Sequence, residues 1–163
     1  MKNIFTIGLI ISLFHSCCKT EDYNILQTDS TGNIVSGDTS LNILKQDAQL
    51  TWETDSICSQ LLNIKGAKLR GCNDKIKVVF YPNPFKETDT LYCKIQSSSP
   101  IYSYAIGNSS PASISLGFMG LGKNIILSDI SYYKPTLKNS TFTVYVATKD
   151  SCIYNGKINV QRQ

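Results

Sequence analysis

From Lys75 onward the chain alternates apolar and polar side chains with a period of two, the pattern of strands buried on one face and not of helices. Ile76, Val78 and Phe80 alternate with Lys75, Lys77 and Val79, and Leu91, Cys93 and Ile95 alternate with Tyr92, Lys94 and Gln96. Further strands are predicted over Ile101 to Ile106, Ser113 to Phe118, Lys123 to Leu127, Thr141 to Thr148 and Cys152 to Val160. Phe142, Val144 and Val146 share a face, and Lys149-Asp150-Ser151 leads straight into the last strand, which predicts a closing hairpin. Asn155-Gly156 is a competing turn, but turning there leaves only a few residues on each side, so it is placed within the last strand. Upstream, Leu41 to Trp52 supplies one or two short strands and Ser56 to Ile64 a strand or short helix.

Short strands separated by turn signals at regular spacing predict an all-β fold, an antiparallel immunoglobulin-like β-sandwich occupying residues 38–163 as a single domain. The preceding residues, 17–37, are polar and read as a tether, with a turn at Asp29-Ser30-Thr31-Gly32-Asn33. Gly117 to Gly122 lacks the Lys-Ser/Thr of a phosphate-binding loop and reads as a turn.

The first residues carry an address. Lys2 is followed by an apolar run from Ile4 to Phe14, too short to span about 30 Å of hydrocarbon, so it reads as an export signal over 1–16 and not as an anchor. The stretch Leu13-Phe14-His15-Ser16-Cys17 resembles the lipobox of bacterial lipoproteins, which implies diacylation of Cys17 as the new N-terminus, with Cys18 as the fallback. The following Cys18-Lys19-Thr20-Glu21-Asp22 resembles the surface-export signal of Bacteroidetes lipoproteins. A lipid-tethered protein of the outer membrane, facing the surface or the periplasm, is therefore expected.

Cleavage removes His15, the only histidine. Ser-His-Asp and Cys-His catalysis lose their proton carrier, and the common zinc sites lose a ligand. Paired-carboxylate chemistry would have to use Glu53 with Asp55 or Glu87 with Asp89, pairs that fall in polar connecting segments and read as solvated charge. No enzyme, cofactor or metal is expected. The small excess of Lys and Arg is spread along the chain, so no nucleic-acid footprint is expected either.

Cys58, Cys72, Cys93 and Cys152 remain in the body, and in an oxidising compartment they read as disulfide partners. Three pairings are open. Cys58 with Cys72 and Cys93 with Cys152 is preferred, because the final strand is expected to turn Cys152 toward the same interior as Cys93.

A second resemblance covers about half the chain. Val78-Val79-Phe80-Tyr81-Pro82-Asn83-Pro84-Phe85 resembles the opening of the C-terminal sorting domains of type IX secretion cargo, and Thr141 to Val146 with Cys152 to Gln161 is similar to that family's closing hairpin. The family's Pro-x-Gly-x-Tyr lead into the penultimate strand is missing between Ser97 and Lys138. The resemblance, over 75–163, implies a small sandwich and, as an alternative role, recognition by the secretion apparatus. Two prolines in the corner fix φ and remove ladder donors, which forces the chain out of the sheet.

Tyr92, Tyr102, Tyr104, Tyr132 and Tyr133 are candidates for an aromatic face that binds a glycan or an envelope protein, although aromatics also fill cores. Trp52 reads as a core residue. Asp29-Ser30-Thr31, Asp55-Ser56-Ile57 and Asp89-Thr90-Leu91 resemble the O-glycosylation tripeptide of exported Bacteroidetes proteins. The leading expectation is a lipid-anchored envelope module that binds a partner or serves structurally.

Overall fold

The computed structural model describes residues 25–47, 71–108, 114–118, 122–128 and 139–163. Within them lie ten strands: β1 (Gln27–Thr28), β2 (Ile34–Ser36), β3 (Ile43–Gln46), β4 (Ile76–Tyr81), β5 (Tyr92–Ser97), β6 (Ile101–Asn108), β7 (Ile114–Phe118), β8 (Asn124–Leu127), β9 (Asn139–Thr148) and β10 (Ile153–Gln161). A 3-10 turn over Thr39–Asn42 precedes β3, its first turn held by the Asp38 carboxylate, which accepts from Ser40 N–H.

β3 to β10 form one antiparallel sheet in the order β7-β6-β9-β10-β3-β4-β5-β8. Its fold-over is set by β3. Lys45 and Gln46 pair with β10, whereas Ile43 and Leu44 pair with β4, so a four-residue strand joins two layers along one edge. The layers are β7-β6-β9-β10 and β4-β5-β8, and the chain passes between them after β5, β7 and β8. That order is the all-β, immunoglobulin-like sandwich expected from the alternation.

The alternation decides which side is packed. Ile76, Val78 and Phe80 of β4, Cys93 and Ile95 of β5, and Phe142, Val144 and Val146 of β9 are buried in one cluster. Phe80 and Phe142 stack across the layers with ring centroids 4.6 Å apart. Each such large apolar side chain stabilises the fold by about 1.5–3 kcal/mol. The closing hairpin runs in unbroken register from Ile153↔Ala147 to Gln161↔Asn139. Gly156 lies inside β10 opposite Val144, not in a turn, and a Cβ there would stand 2.7 Å from Leu44 Cδ2, so glycine lets β3 approach.

The tether expected over 17–37 needs correcting in its second half. β1 and β2 pair, and Leu26 and Thr28 are buried, because this hairpin docks on the Tyr81-Pro82-Asn83-Pro84 corner. Asp29 shapes its turn by accepting from Thr31 N–H and Asn33 N–H. Gly37 closes it with φ of 100°, where a Cβ would lie 2.9 Å from the Ile25 carbonyl oxygen.

The preferred cysteine pairing is also overturned. Cys72 is bonded to Cys152, with Cα atoms 5.9 Å apart, and Cys93 is a free, buried thiol. The reason is direction. Cys93 is the second residue of β5, opposite Phe80 and near the proline corner, whereas Cys152 precedes β10, whose other end reaches that corner. Cys93 and Cys152 therefore lie toward opposite ends of the sandwich, and the segment entering β4 brings Cys72 to Cys152 instead. Cys58 lies outside the described residues, as do Cys17, Cys18, Trp52, Glu53, Asp55, Tyr132 and Tyr133.

Candidate functional site

Because β4, β5 and β8 turn their odd or even positions inward as a set, the alternate positions share the outer face of that layer. Pairing places them in rows: Tyr81 beside Tyr92, Val79 beside Lys94 and Ile126, and Lys77 beside Gln96 and Asn124, with Ile43 of β3 opposite Lys77. Lys45, two residues beyond Ile43, pairs with Asn155 of β10 and so leaves this face for the other layer. Ile126 is 61% exposed and Ile43 42%, whereas Ile125 and Leu44, the neighbours that point inward, are buried. Tyr81 and Tyr92 stack at 5.2 Å, and the turn of the β1–β2 hairpin covers Tyr81 at Gly32. Tyr92 is left half-buried at the margin of the open surface.

On this face Val79 and Tyr81 are buried although neither belongs to the central cluster, and the other outer face has such residues too. Ser103, Ala147 and Ile153 form a row across β6, β9 and β10, and all three are buried although none belongs to the central cluster.

The five-tyrosine face is not a single surface. Tyr92 lies on one layer, and Tyr102 and Tyr104 on the other. Tyr104 points into the central cluster, because β6 turns its even positions inward there. Tyr102 is the extra residue of a β-bulge between Ile101 and Ser103, which leaves it unpaired and exposed.

A second constellation closes the end of the sandwich beside the disulfide. Asp74 Oδ2 accepts from the Tyr154 hydroxyl at 3.0 Å and from the Thr148 hydroxyl at 3.1 Å, while Oδ1 accepts from the Ser98 and Ser99 hydroxyls. Asp74 N–H in turn donates to the Tyr154 hydroxyl oxygen at 2.9 Å. Burial opposes the ionised carboxylate, but these hydroxyls outweigh it and hold Asp74 below the usual carboxylate range. Burial, with the Asp74 charge, pushes the Tyr154 phenol up to about 12. Both oxygens of this carboxylate are committed to neighbours, so the group clasps the segment before β4 to the β5–β6 turn and to the ends of β9 and β10.

The proline corner is similarly committed. Both prolyl bonds are cis. Asn83 donates from Nδ2 to the carbonyls of Leu26 (2.7 Å) and Asn159 (3.2 Å), and its Oδ1 accepts from Gln161 N–H at 2.9 Å. Phe85, fully buried, continues the contact by pairing with the chain end at Arg162. Glu87 and Asp89 do not converge in a cleft. Glu87 pairs with Arg162 at 2.7 Å, and Asp89 accepts from Lys86 N–H.

Residue reading missed the lysine face, Asp74 and Asn83. The lysines had a signal: β3, β4, β5 and β8 contain no acidic residue, and their only charges are Lys45, Lys77 and Lys94. Lys77 and Lys94 come to one face only when β4 and β5 are set side by side. No family model matches the chain, and no curated protein or solved structure matches it.

Proposed function

We propose that the chain is a lipid-anchored cell-envelope module, held through Cys17 on the surface or periplasmic side of the outer membrane, that binds a partner on the open face of its β3-β4-β5-β8 layer. The observation that carries this reading is the exposure of two large aliphatic side chains, Ile43 and Ile126, on the outer face of that layer beside exposed Lys77 and half-buried Lys94. The Cys72–Cys152 disulfide suits an oxidising compartment beyond the inner membrane, as the export signal implies. The reading assigns no chemistry to the protein, in keeping with carboxylates that serve as caps, clasps and ion pairs. Intact mass spectrometry of membrane-extracted protein tests the anchor. A diacylglyceryl adduct on a chain beginning at Cys17 is expected, and a water-soluble product with an unmodified N-terminus would overturn it.

A second reading, recognition by the type IX secretion apparatus, is favoured by one contact. The two segments that resemble the sorting domain, the proline corner and the closing strand, are joined through Asn83 and Phe85. Removal of the last strands during export, read in the same mass spectrum, would favour it over the anchored module.

A further inference from the structure

The open face and the point where the chain enters the fold together identify a partner. We infer that the outer face of the β3-β4-β5-β8 layer rests on an anionic lipid surface. This deepens the anchored reading above and names the chemistry that the same face meets.

Charge complementarity is the first support. The charged side chains on the outer face of this layer are Lys77 and Lys94, and neither has an ion pair among the described residues. Two unneutralised ammonium groups and no carboxylate on one sheet face suit a plane of phosphate headgroups. The apolar side chains are the second. Ile43 and Ile126 stand among the lysines, and Ile34 and Val35, 64% exposed in the latter case, extend from the adjoining β1–β2 hairpin. Aliphatic side chains interspersed with long cations match the boundary between headgroups and acyl chains, where lysine stems lie along the apolar layer and keep their charge at the phosphates.

The third support is the chain path. Seven residues lie between Cys17 and Ile25, and the eight steps span at most about 29 Å when fully extended. The fold then begins at the margin of this face: Leu26 is fastened to Asn83 at the proline corner, and the hairpin that follows lies on Tyr81. An acylated Cys17 thus holds the Tyr81–Tyr92 end of the layer within a short reach of the bilayer.

The test reads the lysines directly. The full, acylated protein is reconstituted in phosphatidylcholine vesicles with or without one-third phosphatidylglycerol, labelled briefly with an acetylating reagent, and digested for mass spectrometry. Lys77 and Lys94 should label several-fold more slowly on the anionic vesicles, with the difference abolished by half-molar salt. Lys149 and Lys157, on the β9–β10 turn and the other layer, should not change. Equal labelling of Lys77 and Lys94 on both vesicles overturns the inference.

If the protein carries no acyl chain, the anchor fails but the face can still be tested by sedimentation of the soluble chain with the same vesicles. Lys77→Gln and Lys94→Gln should then each weaken association with anionic vesicles about fivefold, the effect of one cation near such a surface. Unchanged association in the double variant overturns the inference, as does a dimer in solution that buries the same lysines.

Discussion

The side-chain oxygen of Asn83 accepts the backbone N–H of Gln161 at 2.9 Å, which fixes the last strand to a corner 78 residues earlier in the chain. The same amide holds Leu26 and Asn159 through its nitrogen. One buried side chain therefore satisfies backbone groups from β10 and from the N-terminal hairpin, where no sheet partner is available.

Asn83→Ala should accordingly cost about 2–4 kcal/mol, because it leaves buried backbone groups without partners. Asn83→Asp should also destabilise, since a carboxylate repels the two carbonyls that the amide nitrogen served. Urea unfolding followed by circular dichroism measures both, and a cost below about 0.5 kcal/mol for Asn83→Ala would refute the role assigned to the corner.

The disulfide spans 80 residues, and a loop of that length contributes about 4 kcal/mol in the chain-entropy model. Cys72→Ser and Cys152→Ser should each lower the unfolding midpoint strongly and by similar amounts, and Cys72→Ser with Cys152→Ser should add little further. Clear additivity in thermal unfolding would show that the two sulfurs are not bonded to each other.

Cys93 should be inert in the folded protein. Burial pushes its thiol well above the usual range, and the residue is fully enclosed by the core. Iodoacetamide should modify it only after denaturation, and rapid alkylation of the native protein, located by peptide mapping, would contradict the packing of β5.

The Asp74 clasp gives stability a pH dependence of known sign. A carboxyl whose folded-state pKa lies below its unfolded value contributes in full above about 3.8, and the contribution fades as the pH falls through the folded value. Tyr154 acts at the other end. Its phenol is raised to about 12, so its contribution is complete below pH 10 and fades as the pH rises toward 12. Asp74→Asn should flatten the acid limb of a stability profile, and Tyr154→Phe should flatten the alkaline limb; an unchanged acid limb in Asp74→Asn would count against the clasp.

How much of this was legible along the chain can be judged strand by strand. Side-chain direction alternates in a strand whatever lies around it, so Ile76, Val78, Phe80, Phe142, Val144 and Val146 reveal the all-β class and the closing hairpin without help from the rest of the molecule. The two prolines around Asn83 likewise mark a corner by their own covalent geometry. Local order also masked structure: Ile25 to Gly37 reads as polar linker because its burial depends on a corner about fifty residues away, which no nearby pattern encodes.

Sequence alone, then, determined the all-β class, most strands from Lys75 onward and the closing hairpin, since these follow from neighbours within a few residues. Only the tertiary structure decided that Cys72 and not Cys93 meets Cys152, that Tyr104 is core while Tyr92 edges a surface, and that Lys77 and Lys94 share one face with Ile43 and Ile126. Those outcomes depend on which strands lie side by side and which end of each is shared. β3 sets that arrangement by dividing four residues between β4 and β10, a choice made by packing across the whole sandwich.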